Sequence, residues 1–240
     1  MKYFVCSDIH GFYDEWISAL NKQGFDINNP EHKIIVCGDL FDRGNQPKEI
    51  INFVLSKKDK FIIIRGNHED LMQEMIDRNK NTTGDISNGT TQTIIDLCPE
   101  WLISEFDLSK IAKETKLQEV IDLSIDYYET KHYIFVHGWI PIIENCYLYD
   151  EDWRNATKER WEKARWQNPV EMYRYGIYEP NKTIVCGHWH CSALWAEKYP
   201  SKYTEFGYKA NFDPFITKQM IAIDACTAYS KKVNVLVLED

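Results

Sequence analysis

The sequence predicts an α/β fold in one domain over residues 1–240, on three observations. Short apolar runs rich in β-branched residues recur early, at Tyr3–Cys6, Ile34–Cys37 and Phe61–Ile64. Each ends in polar residues and leads into a helix-like pattern. Asp8, Asp39 and Asn67, which follow these runs, are spaced by roughly thirty residues, the length of one βαβ unit. The three strands are therefore expected to run parallel, with their C-terminal ends on one edge.

The remaining elements follow in order. Pro47 suits a helix start, and Ile50, Ile51, Val54 and Leu55 then repeat at helical spacing. From about 70 to 130, helical segments are broken by the polar turn Asn81-Thr82-Thr83-Gly84-Asp85, and no low-complexity linker appears. This stretch is expected to be a helical insertion or cap. Strands resume at Tyr133–Val136 and Thr183–Cys186. Between them a helix over Glu151–Trp166 would turn Trp153, Ala156, Trp161 and Ala164 inward. Met220–Ile223 and Val233–Leu238, separated by Ser230-Lys231-Lys232, predict a closing β-hairpin.

Composition narrows the function classes. With 28 basic and 37 acidic side chains the net charge is −9, which disfavours stable nucleic-acid binding. A small phosphorylated ligand held by local arginines and metals stays open. The start Met1-Lys2-Tyr3-Phe4-Val5-Cys6 runs straight into Ser7-Asp8, so no signal peptide is expected, and no apolar run reaches membrane-spanning length. Seven cysteines without a CxxC pair argue against a disulfide framework. A cytoplasmic location is the expectation.

Every main strand end carries metal-ligand residue types: Asp8-Ile9-His10, Gly38-Asp39, Gly66-Asn67-His68-Glu69, His137-Gly138 and Gly187-His188-Trp189-His190. Five of the seven histidines fall in these motifs. Flanking glycines let the backbone turn and ions approach. Singly, each motif is explained by a turn or a satisfied core histidine. In this order and spacing they point together to a metal site. If extended, His188-Trp189-His190 would put both imidazoles on one side.

The motifs DIHG, GDLFDRG, RGNHE, VHG and GHWH, in that order, resemble the calcineurin-like metallophosphoesterases. The DRG and the Glu after GNH are similar to the compact phage and bacterial serine/threonine phosphoprotein phosphatases. The resemblance covers residue 8 to about 238 and implies a β-sandwich flanked by helices, with a dinuclear metal site at the C-terminal strand edge. Carried over residue by residue, Asp8 and His10 would bind one divalent ion, Asp39 would bridge, and Asn67, His137 and His188 would hold the second. His190 would join the first ion, as in the wider superfamily; the compact phosphatases show one histidine at that motif. Mixed oxygen and imidazole ligands suit Mn²⁺ first, with Fe or Zn²⁺ as alternatives.

The resemblance also implies roles beside the metals. His68 would protonate the leaving oxygen, Asp42 would orient His68, and Arg43 would grip phosphate. A turn-closing salt bridge is the plainer account of Asp42 and Arg43. Arg165 is the positional candidate for a second phosphate arginine, with Arg154, Arg160 and Arg174 as alternatives and a charged helix face as the bland reading. Arg65 would touch substrate or brace its loop. Asn88-Gly89-Thr90-Thr91 resembles a substrate-side NGG loop with Thr90 in place of the second glycine. Asp224 resembles the aspartate of an IDTG segment, and a turn role explains it equally.

The implied reaction is hydrolysis of phosphomonoesters, protein serine/threonine phosphatase-like, by direct attack of a metal-bound hydroxide. Partners would be a phosphoprotein, a nucleotide or a small phosphoester. Alternatives are a dinucleoside polyphosphate (diadenosine tetraphosphate-type) hydrolase or phosphodiesterase, and a catalytically silent protein-binding scaffold.

Overall fold

Alternation along the early strands sets how the layers stack. A computed structural model describes residues 1–98, 107–143 and 146–240. In β1 (Lys2–Cys6) and β2 (His32–Cys37), Tyr3, Val5, Ile35 and Cys37 face one way; Phe4, Cys6, Ile34 and Val36 face the other. Both faces are apolar, as a sheet covered on both sides requires. β3 (Phe61–Ile64) and the short β4 (Ser124–Ile125) continue the parallel run. The next strands are β5 (Tyr128–Glu129) and β6 (Tyr133–Phe135), then a small ribbon of β7 (Ile142–Ile143) and β8 (Leu148–Tyr149). β9 (Thr183–Cys186), β10 (Phe215–Ile216), β11 (Met220–Ala222) and β12 (Leu236–Glu239) complete the set.

These strands build two five-stranded sheets, ordered β12-β1-β2-β3-β4 and β10-β11-β9-β6-β5. The parallel strands β1, β2 and β3 of one and β6, β9 and β11 of the other form their centres. The sheets face each other across Tyr3, Val5, Ile35, Cys37 and Ile64 on one side and Phe135, Val185 and Ile221 on the other.

Helices cover the outer faces. α1 (Tyr13–Lys22), α2 (Pro47–Ser56) and α3 (Asn67–Arg78) pack on the first sheet. α4 (Thr83–Asn88), α5 (Thr90–Leu97), α6 (Leu108–Glu114) and α7 (Leu117–Ile121) follow. Of these, α5 to α7 bury Ile94, Leu97, Leu108, Ile111, Leu117 and Val120 in the same core as Phe4 and Ile34. The expected insertion is thus part of the first sheet's covering layer. α8 (Lys158–Arg165), α9 (Pro169–Tyr175) and α10 (Cys191–Lys198) pack on the second sheet through Trp161, Ala164, Val170, Met172 and Leu194. α11 (Thr227–Ser230) links the sheets near the C-terminus. No helix among the described residues is long and apolar enough to cross a membrane.

Two expectations are corrected. The predicted hairpin does not form: β11 pairs parallel with β9 in the second sheet, whereas β12 pairs antiparallel with β1 in the first. Proximity in sequence lost to the partners that each sheet edge offered. The predicted helix over 151–166 is a 3₁₀ turn at Trp153–Asn155 followed by α8 from Lys158. Tertiary anchors hold that first turn, with Trp153 Nε1 donating to Glu179 and Arg154 forked onto Glu129. Trp153, Trp161 and Ala164 are buried as expected; Ala156 is half-buried.

Phe135 is fully buried between the sheets, so Phe135→Ala is expected to lower unfolding free energy by about 3–5 kcal/mol in urea titration. Ile216→Ala, at a residue 55% exposed, is expected to change it by about 0.5 kcal/mol or less.

Candidate metal centre

The loops leaving the parallel strands bring the donors together. His10 Nδ1–H donates to the Phe41 carbonyl at 2.9 Å, which aims Nε2 at Asp8 Oδ1 (3.9 Å) and Asp39 Oδ2 (3.7 Å). His137 Nδ1–H donates to the Cys37 carbonyl at 2.8 Å, leaving Nε2 2.7 Å from Asn67 Oδ1 and 3.5 Å from Asp39 Oδ1. His188 presents Nδ1 to the same Asn67 oxygen at 3.0 Å. Backbone partners on the far ring nitrogen are what fix the tautomer and aim of a metal-ligating histidine. Asp39 is central, because its Oδ2 faces one group of donors and its Oδ1 the other. His10, Asp39 and His68 form one cluster with ligand atoms within 4.8 Å of one another, and Asp39, His137 and His188 form a second.

Electrostatics put these groups in the state a cation needs. Burial pushes His10 well below its ordinary range, with the charges of His68 and Arg43 adding to the effect. Burial and then His137 pull His188 down to about 3. Both imidazoles are therefore neutral at pH 7, with lone pairs available. Burial alone would raise the Asp39 carboxyl, but the imidazoles around it, His137 first, hold it well below the carboxylate range. Asp8 is pushed up by burial and then by the charges of Asp224 and Asp39. A buried amide oxygen, two imidazole lone pairs and a carboxylate converging on one point fit a divalent cation.

The backbone is bent to achieve this. Among the described residues, eleven non-glycine positions have positive φ, and six of them are Asp8, His10, Asp39, Asp42, Arg43 and His188. Left-handed backbone at such residues is unfavourable by roughly 1–2 kcal/mol each, so the surrounding structure must enforce it. Glu69 supplies much of that enforcement: its buried carboxylate accepts from the backbone N–H groups of Gly66, Asp39 and Leu40 at 2.8–2.9 Å. Close approach matters as well. A Cβ at Gly66 would lie 2.1 Å from Asp39 Oδ1, and one at Gly38 would lie 2.4 Å from His137 Nδ1.

Beside the donors lies a second constellation. His68 Nδ1 and Asp42 Oδ2 are 2.6 Å apart and both are buried. Asp42 is itself held by the hydroxyls of Thr90 (2.8 Å) and Thr93 (3.0 Å) from the start of α5. Burial lowers the His68 pKa, but the Asp39 charge and the Asp42 hydrogen bond outweigh it, and the net shift is upward. Arg43 spans the cleft, with Nη1 3.0 Å from His10 Nε2 and Nη2 3.1 Å from His68 Nε2. The two threonines and the Glu69 clamp were not resolved by sequence reasoning. The Glu after GNH was a signal for Glu69, and Thr90 stood in the NGG-like motif without its partner being named; nothing local marked Thr93, about fifty residues from Asp42.

Several expected site residues stand elsewhere. Arg165 is buried and forks onto Asp70 (2.5 Å), with Nη1 on Asp126 (2.8 Å). Its charge is matched within the chain, and it braces α8 against α3. Arg65 likewise engages Asp70, at 2.6 Å. Arg154, Arg160 and Arg174 pair with Glu129, Asp150 and Glu197. His190 does not join the first cluster: its Nε2 pairs with Glu205 at 2.8 Å and its ring stacks on Trp189. The left-handed turn at His188 breaks the extended run that would have put both imidazoles on one side. Asn88 ends α4 half-buried, and the following Gly89 presses on the Arg43 backbone, where a Cβ would meet Arg43 N at 2.6 Å. Asp224 Oδ1 closes a turn by accepting from Cys226 N–H at 2.6 Å; burial pushes its carboxyl up to about 6.

Arg165→Met is expected to lower unfolding free energy by about 1.5–3 kcal/mol in denaturant titration, since the charge-assisted hydrogen bonds to Asp70 and Asp126 are lost while Arg65 still pairs with Asp70. In the metal-free chain, His188→Gly is expected to be more stable than His188→Ala by about 1 kcal/mol, because glycine alone accepts the left-handed backbone there without strain.

Comparison with known proteins agrees with this architecture. The chain is 40% identical over 76 residues to the asymmetrical bis(5′-nucleosyl)-tetraphosphatase of Bacillus subtilis, a stretch covering 28% of this chain and 31% of that protein. It is 39% identical over 72 residues to serine/threonine-protein phosphatase with EF-hands 2 of Homo sapiens, covering 28% and 9%. The matches thus span less than a third of these relatives' length. Among solved structures, a cold-active protein-tyrosine phosphatase of a psychrophilic Shewanella species superposes with a TM-score of 0.55 at 17% identity, covering 100% of this chain and 75% of that one, a likeness of fold. The family model described as calcineurin-like phosphoesterase matches residues 1–192, a span that includes both donor clusters. That family uses a dinuclear divalent metal site, and this chain holds candidate ligands for it. With four-fifths of its length matched by that model, the chain belongs to the calcineurin-like phosphoesterase family.

Proposed function

We propose that the protein is a metal-dependent phosphoester hydrolase acting on phosphomonoesters. The observation that carries this reading is the His68–Asp42 pair, 2.6 Å apart, set beside Arg43 and both donor clusters. Asp8, His10 and Asp39 would hold one divalent cation, and Asp39, Asn67, His137 and His188 the other, manganese being the ion we assign. Bound there, the cations neutralise phosphoryl charge and make a water acidic enough to attack near neutral pH.

The remaining work falls to the chain itself. Arg43 donates its planar fork to phosphate oxygens and fixes the phosphoryl group in line. Asp42 accepts a hydrogen bond from His68 Nδ1–H and so holds the ring to present its Nε2 proton to the departing oxygen. Thr90 and Thr93 keep both Asp42 oxygens engaged, so the carboxylate cannot swing away from His68. The raised pKa of His68 keeps its acid form populated to higher pH. A second reading, hydrolysis of a dinucleoside polyphosphate, is favoured by the likeness to the bis(5′-nucleosyl)-tetraphosphatase of Bacillus subtilis.

After manganese reconstitution, a panel of aryl phosphate, bis-aryl phosphate, phosphopeptide and diadenosine tetraphosphate tests the class, and no turnover with any metal would leave a silent scaffold. His68→Asn is expected to keep its metal content, read by elemental analysis, while kcat falls by about 10²–10⁴. Lost ions or full activity in that variant would sink the assignment. Because the acid form of His68 is the active one, kcat should fall as pH rises through its pKa. Asp42→Asn removes a cause of the raised pKa, so the falling limb should move to lower pH.

A further inference from the structure

Trp166 follows the last residue of α8 and is 52% exposed, with its ring edge-to-face on His188 at 5.9 Å between centroids. A large apolar ring left open beside a buried ligand cluster needs an explanation. Next to it opens a cavity of about 440 Å³ in which Trp166 and Tyr147 supply aromatic walls, and Ile142 and Met172 are the aliphatic lining. Tyr147 is also 45% exposed. That volume falls in the range of small-molecule sites.

The polar groups of the cavity are specific. Gln167 Oε1 is shut off from water and meets no hydrogen-bond partner among the described residues. Enclosed in this way, that oxygen is not open to a ligand in the cavity. Asn168 spends its side-chain oxygen on the Val170 N–H at 2.8 Å, so what it can offer a ligand is its amide N–H groups. An amide donor beside two aromatic walls matches the faces and edge of a nucleobase, which presents acceptors around a flat ring. The wall is also fixed in place. Trp139 N–H donates to Ala164 O at 3.0 Å, and a Cβ at Gly138 would meet the carbonyls of Ala164, Arg165 and Gln167 within 2.9 Å. The turn bearing Trp166 is therefore pressed onto the strand end that carries His137.

We propose that this cavity binds the base of a nucleoside-phosphate substrate, stacked on Trp166, while its phosphate lies at Asp39, Arg43 and His68. The inference rests on the phosphoester reading and narrows it to phosphates that carry a nucleoside. Trp166 joins the two regions, since it lines the cavity and its ring meets the donor His188.

Adenosine lacks a phosphate, so its binding to the full chain, measured by isothermal titration, reads the cavity apart from hydrolysis. Wild type is expected to bind it, and Trp166→Ala to weaken binding by about 10-fold, in line with base–aromatic stacking. Trp166→Phe should keep most of the affinity. With manganese present, Trp166→Ala should raise KM for adenosine 5′-monophosphate about 10-fold more than for β-glycerophosphate. No adenosine binding by wild type overturns the proposal, even if other phosphates are hydrolysed. So does equal weakening of both substrates, or a phosphoserine peptide that competes for Trp166 with a lower KM than the nucleotide. Adenosine binding that depends on Trp166, with no phosphate turned over, upholds the cavity and overturns the hydrolytic reading.

Discussion

One carboxylate organises the molecule's working edge. Asp39 stands where the two donor clusters meet, with an oxygen committed to each, and its anionic form is held by the imidazoles around it. Its own position depends on Glu69, whose buried carboxylate grips the backbone at Asp39 and Leu40. Glu69 belongs to α3, so the first turn of a helix on one βα unit fixes the loop of its neighbour. Displace that clamp and both clusters move, because each is measured from Asp39.

The sheet geometry explains why so many polar groups can crowd one edge without unravelling it. Parallel strands from two sheets end near the same place, and the loops after β1, β2 and β9 turn sharply through left-handed backbone at Asp8, His10, Asp39 and His188. The unfavourable torsions are affordable because the strands below are buried on both faces, through Phe4, Ile34 and Val36 outside and Val5, Ile35 and Phe135 inside. Apolar burial of that extent stabilises the scaffold far more than a handful of strained torsions destabilise it.

Much of this was legible in the sequence, and the failures have physical reasons. β1 to β3 were visible because their apolar runs are short, β-branched and regularly spaced, and the donors at their ends stand out against the glycines. The pairing of Asp42 with His68 was inferred by resemblance and matches the 2.6 Å contact. Arg165 was misplaced because a position between two histidines says nothing of charge partners; Asp70 lies 95 residues away and Asp126 lies 39 away. His190 was misplaced because a single left-handed residue, His188, redirects the chain, and no residue type announces that conformation there. The hairpin failed for a topological reason: β11 and β12 belong to different sheets, and turn-like residues between strands specify a bend without naming partners.

The division of the donors between the sheets has a kinetic consequence. Asp8, His10, Asp39 and Asn67 come from the first sheet, and His137 and His188 from the second, with 180 residues between Asp8 and the His188 that bonds it. An unfolded chain offers no such site, so a cation has nothing to nucleate and enters only once the sheets have closed. An ion held by donors from both sheets would tie the two halves of the sandwich at this edge. An ion bound there would therefore act as a latch on the way out of the native state, lengthening its lifetime more than it speeds assembly.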